Sequence, residues 1–432
     1  MRFATARTTP EQAALRRIAQ VSEATLPNGL KVRLLPDAAV PTVSYYTFFR
    51  VGSRNERPGI TGISHLFEHM MFNGAKRYGP GEFDRALESS GGHSNAYTSY
   101  DVTVYTDEAA AEALELIIDL ESDRMRSLAI SDQMLQSERQ VVIEERRLRV
   151  DNEILGRLDE ELGTLVWKAH PYRWPIIGWH KDIESISKQD CMDYFRTYYA
   201  PNNATVFVAG DFDPKEALGW VRKYYGGIPK GPVPPTVVDA EPEQKGERRA
   251  LVRHPAQAPS LMIAFRGPAA RHPDTWVLDV LQYALAVGQS SRLVKALVYE
   301  QELAVSVSVD WGWRLDPGAF VLSLELRPDS IPAEVERALY VELDKVAREG
   351  ITQIELTKAL NNLKAHFLRE LATHSGRANA FGTYEVLLGS WREGMKLPER
   401  YAQVTTEAVR AAGQKYLHPD RRSVVTLLPE EA

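Results

Sequence analysis

Residues 226–249, "GGIPKGPVPPTVVDAEPEQKGERR", are dense in Pro, Gly and charge and carry no apolar periodicity, so neither a core helix nor a core strand can run through them. A chain of 432 residues interrupted there falls into two parts of about 200 residues, each long enough to bury its own core. The boundaries that follow are a first domain over 1–230, a linker over 231–249 and a second domain over 250–432.

The order of elements repeats across the break. Ahead of it, "SEATLPNGLKVRLLPDAAVPTVSYYTFFRVGSRNE" alternates apolar and polar residues around an Asn-Gly turn, which predicts a two-stranded hairpin over residues 22–52. Helical spacing runs from Gly62 to about Ala75 and through "GPGEFDRALESSG", and "GGHSNAYTSYDVTVYTDE" reads as a strand pair. A long helical region starts near Ala109, breaks around Ser127–Ser131 and resumes through Gly163. "NNATVFVAGDF" then gives a strand and "DPKEALGWVRKYYGGI" a helix ended by glycines. Beyond the break come strands at 250–254 and 259–266, the helices "DTWVLDVLQYALAVG" and "SSRLVKALVYEQ", the strands "AVSVSVDWGW" and "GAFVLSLELRP", and two more helices. Helices grouped beside hairpin-connected strands indicate an α+β class and not a βαβ parallel sheet. Two similar α+β domains, each an antiparallel-rich sheet with helices packed on it, point to an internal duplication.

Net charge is −6, without a basic patch, so no nucleic-acid partner is expected. No apolar run approaches the roughly 18 residues of a membrane span, so no membrane partner is expected either. The lone Cys191 excludes an internal disulfide and fits a reducing compartment. A cytoplasmic location of bacterial type is the expectation. The mitochondrial matrix is the alternative, because "MRFATARTTPEQAALRRIAQ" bears arginines and few acids, although "PEQAALRRIA" also reads as a short ordinary helix.

The stretch "GISHLFEHMMFNG" carries chemistry. On a helix His65 and His69 lie about 40° apart, one turn from each other, and can reach one Zn²⁺ at about 2.1 Å. Glu68 lies about 60° back from His65 and borders the same place. The order is the H-x-x-E-H signature, reversed from H-E-x-x-H. Taken alone, the five residues could equally be a polar helix face. A catalytic zinc needs a third protein ligand, and "SDQMLQSERQVVIEERRLRVDNEILGRL" offers one. Its apolar stripe reads Met134, Val141 or Val142, Leu148 and Leu155. Glu138 and Glu145 lie within about 20° of each other inside that stripe, where a carboxylate is costly without a metal or charged partner. Glu144 is about 100° away at the margin. Glu145 is therefore the expected third ligand, with Glu138 placed to accept the free ring N–H of a ligating histidine. One Zn²⁺ per chain is implied, with Glu68 free to act as general base. No G-x-S-x-G or G-x-x-x-x-G-K-[ST] competes, and Cys191 lacks the context of a nucleophile.

At this point the chain resembles the pitrilysin/insulinase group of zinc metallopeptidases, which includes the mitochondrial processing peptidase. The likeness rests on "LPNGLKVRLLPD", "VGSRNERPGITGISHLFEHMMFNG", "GGHSNAYTSYDVTVYTDE", "SERQVVIEERR", "HPYRWPIIGWHKDIESIS" and "YYAPNNATVFVAGDFDP", in order over residues 25–214. The resemblance implies His65, His69 and Glu145 as zinc ligands and Glu68 as base. It also implies that the strand carrying "SNAY" pairs with substrate as an added β-strand, so that Asn95 and Ala96 bind peptide backbone; the alternative reading of Asn95 is a turn cap. The same family fold implies two chains closing a clam-shaped chamber around short or unfolded peptides. His93 is either near the site or solvated. His170, His180 and Tyr172 read as structural; Trp311 and Trp313 alternate with Gly312 on a strand, so both face one side, as core or as an interface.

The second half departs from the family. Active members usually carry L-R-x-x-x-G-L-x-Y-S-V there, an arginine and a tyrosine seven apart that bind substrate and polarise its carbonyl. The corresponding "ALVYEQELAVSVSV" places Val298, Glu302 and Val305 at the arginine, glycine and tyrosine positions. Valine can neither donate a hydrogen bond nor carry charge. Arg292 and Tyr299 are also seven apart, but out of phase by six residues. The expectation is a heterodimer in which a homologous subunit supplies the Arg/Tyr pair and this chain the zinc. The resemblance leaves two other readings: the catalytic, beta-like subunit of a presequence-processing peptidase, and a non-enzymatic assembly subunit.

Overall fold

Leu26 N–H donates to the Leu30 carbonyl at 2.9 Å, and Gly29 takes φ 92, a left-handed conformation that suits glycine. This Asn28-Gly29 turn closes β1 (Ser22–Thr25) onto β2 (Lys31–Pro36). The computed structural model describes Leu15 and residues 18–238 and 241–430; most of "PEQAALRRIA" lies outside them. The third strand, β3 (Thr42–Phe49), does not pair with β2, as a simple hairpin over 22–52 would require. β6 (Ala204–Gly210) lies between them, parallel to β2 and antiparallel to β3. All seven residues of β6, "ATVFVAG", are buried, and an unbroken apolar run of this kind belongs in the middle of a sheet covered on both faces. With β4 (His93–Thr98) and β5 (Thr103–Ala110), the order is β1-β2-β6-β3-β5-β4.

The second sheet repeats this plan. β7 (Arg248–His254), β8 (Ser260–Arg266), β9 (Ala304–Trp311), β10 (Ala319–Leu326) and β11 (Arg422–Pro429) run in the order β7-β11-β8-β10-β9. β7 and β11 are parallel, as β2 and β6 are, and the other neighbours are antiparallel. The duplication is thus present strand for strand, from β2 to β4 and from β7 to β9. The sequence reading stopped at two helices after β10. Six follow, Pro332–Glu349, Gln353–Glu370, His374–Leu387, Trp391–Gly394, Leu397–Ala402 and Thr406–Tyr416, and then β11. No described helix is long and apolar enough to cross a membrane.

Four helices position the site or join the halves: α1 (Ile63–Met70), α2 (Asp132–Arg146), α3 (Ile154–Val166) and α4 (His374–Leu387). α3 belongs to the first half by sequence, yet Leu158, Leu162 and Val166 pack on Met262, Ala264, Val425 and Leu427 of the second sheet. In return, α4 lies on the first sheet, so close that a Cβ on Gly382 would come 2.0 Å from the Phe48 ring. The described part of 226–247 holds neither helix nor strand; it breaks the chain, but the packing crosses it in both directions.

Three expectations need correction. The stripe through Val141, Leu148 and Leu155 is not core: these three are 47%, 67% and 61% exposed. Helix α2 buries Leu135, Val142 and Ile143 instead. A π-helical turn over Arg147–Asp151 follows it, and this wider turn invalidates a 100° extrapolation beyond Arg146. "SSRLVKALVYEQ" likewise forms a π-helical segment, Val294–Glu300. Trp311 and Trp313 do not share a strand face, because β9 ends at Trp311. Trp311 is buried within the chain, and Trp313 leaves the strand to donate to Asp279 Oδ1 at 2.9 Å.

Glu302, where the family pattern has glycine, has φ 51, the only positive φ among the described non-glycine residues. Its side chain is exposed and the conformation strained for an L-residue. Glu302→Gly should therefore stabilise the chain by about 1 kcal/mol in urea unfolding; a loss of stability would contradict the strain.

Candidate metal centre

Helix α1 starts at Gly62, whose φ of 89 and lack of a side chain leave the helix uncapped by its own N-cap residue. The buried Glu56 takes over: its carboxylate accepts the Gly62 and Ser64 N–H groups, both at 2.8 Å. Burial pushes this carboxyl up to about 8, against the pull of those donors. Gly62 also has to be glycine for space. A Cβ there would stand 2.4 Å from the Ile177 carbonyl, and one on Gly178 2.4 Å from the Thr61 carbonyl. The two glycines let the Pro175–Gly178 loop lie flat against the start of α1. Tyr105 donates to the Phe67 carbonyl at 3.3 Å, and the Ser64 and Tyr194 hydroxyls bond at 2.7 Å. Helix α1 is thereby held at its start, middle and flank.

α2 crosses α1 where Glu145 meets the histidines. Glu145 Oε2 is 3.6 Å from His65 Nε2 and 3.2 Å from His69 Nε2, and one ligand atom of each residue lies within 4.8 Å of the others. Two ligand atoms each about 2.1 Å from one tetrahedral ion stand roughly 3.4 Å apart. Both carboxylate–imidazole distances bracket that value, so the two nitrogens and one oxygen fit a zinc-type centre. Three buried atoms here, His65 Nδ1, Glu68 Oε2 and Glu145 Oε2, have no hydrogen-bond partner. Among the described residues this is the one group of three such donors.

The surroundings sort the neighbouring carboxylates. Glu138 Oε2 lies 3.5 Å from His69 Nδ1, the ring nitrogen turned away from Glu145. Arg149 Nε holds the other Glu145 oxygen at 3.0 Å. Glu144 points outward and pairs with Arg147. Burial, outweighing Glu145, lowers His65 to about 4. Burial also acts on His69, but Glu138 and Glu145 overcome it and raise the imidazole to about 9. The neighbouring His69 ring holds both of those carboxyls below their ordinary range, against the effect of burial. Burial raises the Glu68 carboxyl, with Thr98 and His69 pulling the other way. A carboxyl with raised proton affinity beside a metal position suits a group that must take up a proton.

The centre opens into a cavity of 790 Å³, lined also by Asn95, Ala96 and Thr98 of β4, by Val141 and by Ile176 and Ile177. His93 is exposed and is not part of its wall. His170 and Tyr172 lie at the junction of the halves: His170 Nε2 meets Asp316 Oδ2 at 3.0 Å, and Tyr172 donates to Asp101 at 2.7 Å. His180 is surface-exposed beside Glu184. Sequence reasoning missed Glu56, Arg149 and the Gly62–Gly178 contact. The first two are single charged residues without a periodic pattern, and the third joins glycines 116 apart (178 − 62).

The sequence matches the family model described as insulinase (peptidase family M16) over residues 32–178. It matches the one described as the peptidase M16 inactive domain over 185–363. It is 33% identical to the zinc protease PqqE of Helicobacter pylori over 84% of this chain and 82% of that protein. A probable mitochondrial-processing peptidase subunit beta of Arabidopsis thaliana is 25% identical over 91% of this chain and 76% of its own. The crystal structure of a protease from Helicobacter pylori superposes with a TM-score of 0.92 at 30% identity, covering 95% of this chain and 99% of that one.

Two measurements test the centre. Metal analysis after dialysis should find the metal lost from Glu145→Gln and kept by Glu144→Gln; equal retention would move the ligand elsewhere. Because His69 without metal holds its proton to about 9 and His65 is already neutral at pH 7, metal uptake at pH 7 should release about one proton. Calorimetry in buffers of different ionisation enthalpy reads this number, which should fall as the pH is raised past that of His69. Release that stays constant through pH 10 would contradict the assignment. With two domain models covering most of its length and a relative one-third identical, the chain belongs to the M16 peptidase family.

Proposed function

We propose that this chain is a zinc-dependent endopeptidase or oligopeptidase acting on short or unfolded peptides inside a two-chain chamber. The observation that carries the reading is the meeting of His65, His69 and Glu145 at tetrahedral spacing, with Glu68 bordering the same cavity. Relatives named as zinc proteases support the choice of metal. Bound there, zinc would polarise the scissile carbonyl and make the attacking water more acidic. The chain's own residues do the rest. His65, His69 and Glu145 hold the ion, and Glu138 fixes the ring of His69 by accepting from Nδ1. Glu68 takes the proton of the attacking water and delivers it to the leaving amine. Asn95 and Ala96, on the edge strand β4, bind the peptide backbone as an added strand.

The second half supports the two-chain part of the reading. Val305 is 52% exposed on β9, and neither it nor Val298 can replace an Arg/Tyr pair. Arg292 is not available, because Glu355 holds it at 2.8 and 2.6 Å. A homologous subunit bearing that pair is therefore the proposed partner, in a heterodimer of which this chain is the zinc-bearing member. The beta-subunit name of the Arabidopsis relative favours a processing-peptidase-like role as the second reading. A non-enzymatic assembly role fits less well with an undamaged metal triad and base. The buried lone Cys191 is consistent with a cytoplasmic location, the matrix being the alternative.

Glu68→Gln should keep the metal while lowering turnover of an unfolded peptide by about 10²–10⁴. Near-normal turnover would remove Glu68 from the base role. The chain purified alone should be folded and metal-loaded yet nearly inactive, and gain activity when mixed with its partner. Full activity from the lone chain would sink the heterodimer.

A further inference from the structure

β4 pairs with β5 on one side and with no described strand on the other. Successive side chains of a strand point to opposite faces, and residues paired across two strands share a face. Ala96 pairs with Tyr105, whose hydroxyl reaches the α1 backbone, so Ser94, Ala96 and Thr98 face the metal centre. Asn95 pairs with Thr106 and Tyr97 with Val104; Val104 packs in the core shared with the second half. Asn95 and Tyr97 therefore face away from the metal, towards α4. Tyr97 confirms this by donating to Asn379 Oδ1 of α4 at 2.7 Å.

On that face lies a second cavity, 470 Å³, between the sheet and the corner where the Gln353–Glu370 helix meets α4. It shares Asn95, Ala96 and Tyr97 with the metal cavity, so β4 is the partition between the two. Tyr46 and Thr106 lie on its sheet side, and Arg369, Glu370, Ser375 and Asn379 opposite. The two charges differ. Glu370 accepts from the Tyr384 hydroxyl at 3.3 Å, whereas the exposed Arg369 side chain makes no hydrogen bond or ion pair with a described residue. A peptide strand laid along β4 would send alternate side chains to the metal face and to this crevice, within about 5 Å of Asn95 at the Cβ.

We propose that this crevice is a substrate subsite selecting an acidic side chain, at the position of the bound peptide opposite Asn95 and away from the metal, with Arg369 as the residue that reads the charge. It rests on the reading of β4 as the peptide-binding edge. It adds a preference at one register position: Asp or Glu favoured opposite Asn95 and neutral in effect at the residues on either side.

The test uses the full chain, zinc-loaded and carrying Glu68→Gln so that peptides bind without being cut. A fluorescent unfolded host peptide of mixed neutral sequence, whose side chains fix its register on β4, carries one Glu moved stepwise along its length. Affinity from anisotropy should rise about tenfold at the one position opposite Asn95 and stay flat at the residues on either side. Adding Arg369→Glu should reverse the preference to Lys at the same position, and Arg369→Gln should abolish it, with zinc content unchanged. Tight but uniform binding across the series would overturn the subsite and leave the peptide-binding edge standing. A preference for Glu at that position that survives both Arg369 variants would overturn the role of Arg369. A chain that binds no peptide of the series would overturn the edge reading itself, and the subsite with it.

Discussion

A carboxylate removed from water needs donors or cations around it, and Glu145 has them only because α1 and α2, 76 residues apart at His69 and Glu145 (145 − 69), cross at that side chain. The rest of the first half holds this crossing in place. Glu56 caps α1, Gly62 and Gly178 bring the Ile176–Ile177 wall against it, and Arg149 restrains the outer oxygen of Glu145. The ligand atoms are thus positioned by several independent contacts. A centre arranged in this way pays little reorganisation when it binds a metal.

The duplicated sheets matter for the site because they are interlocked. α3 leaves the metal-bearing half to cover the second sheet, and α4 returns the favour on the first. The second half, which has no metal group among its described residues, thus forms the far wall behind β4. Asp101, Tyr172, His170, Arg54 and Asp316 tie the halves beside the end of that strand. The proposed peptide edge and the candidate metal ligands therefore belong to one framework, and a change in the second half can shift β4 without touching His65, His69 or Glu145.

Local chemistry was legible in the sequence and long-range geometry was not. The five-residue spacing of His65, Glu68 and His69, the Asn28-Gly29 turn and the alternation in β4 and β5 depend on near neighbours, and all appear in the structure where their patterns placed them. Glu145 and Glu138 were chosen on a helical stripe that is not core: Val141 lines the metal cavity, and beyond Arg146 a π-helical turn leaves Leu148 and Leu155 exposed. The two glutamates still face α1 because both precede that turn. β6 was recognised as a strand but not as the one inserted between β2 and β3, because nothing local encodes a partner about 170 residues away. β11 was missed for the same reason: "RSVVTLLP" gains its strand character from lying between β7 and β8. The helix exchange has no sequence signal at all, as an amphipathic helix does not specify which sheet it covers.

The central claim is that two histidines of α1 and one carboxylate of α2 hold a single zinc ion. The most direct measurement is an anomalous difference map at the zinc edge from crystals of the metal-loaded chain. The account predicts one peak about 2.1 Å from a ring nitrogen of His65, a ring nitrogen of His69 and a Glu145 oxygen, with a fourth position left to solvent. A peak ligated by Glu138 in place of Glu145, or none at this crossing in zinc-saturated crystals, would contradict it.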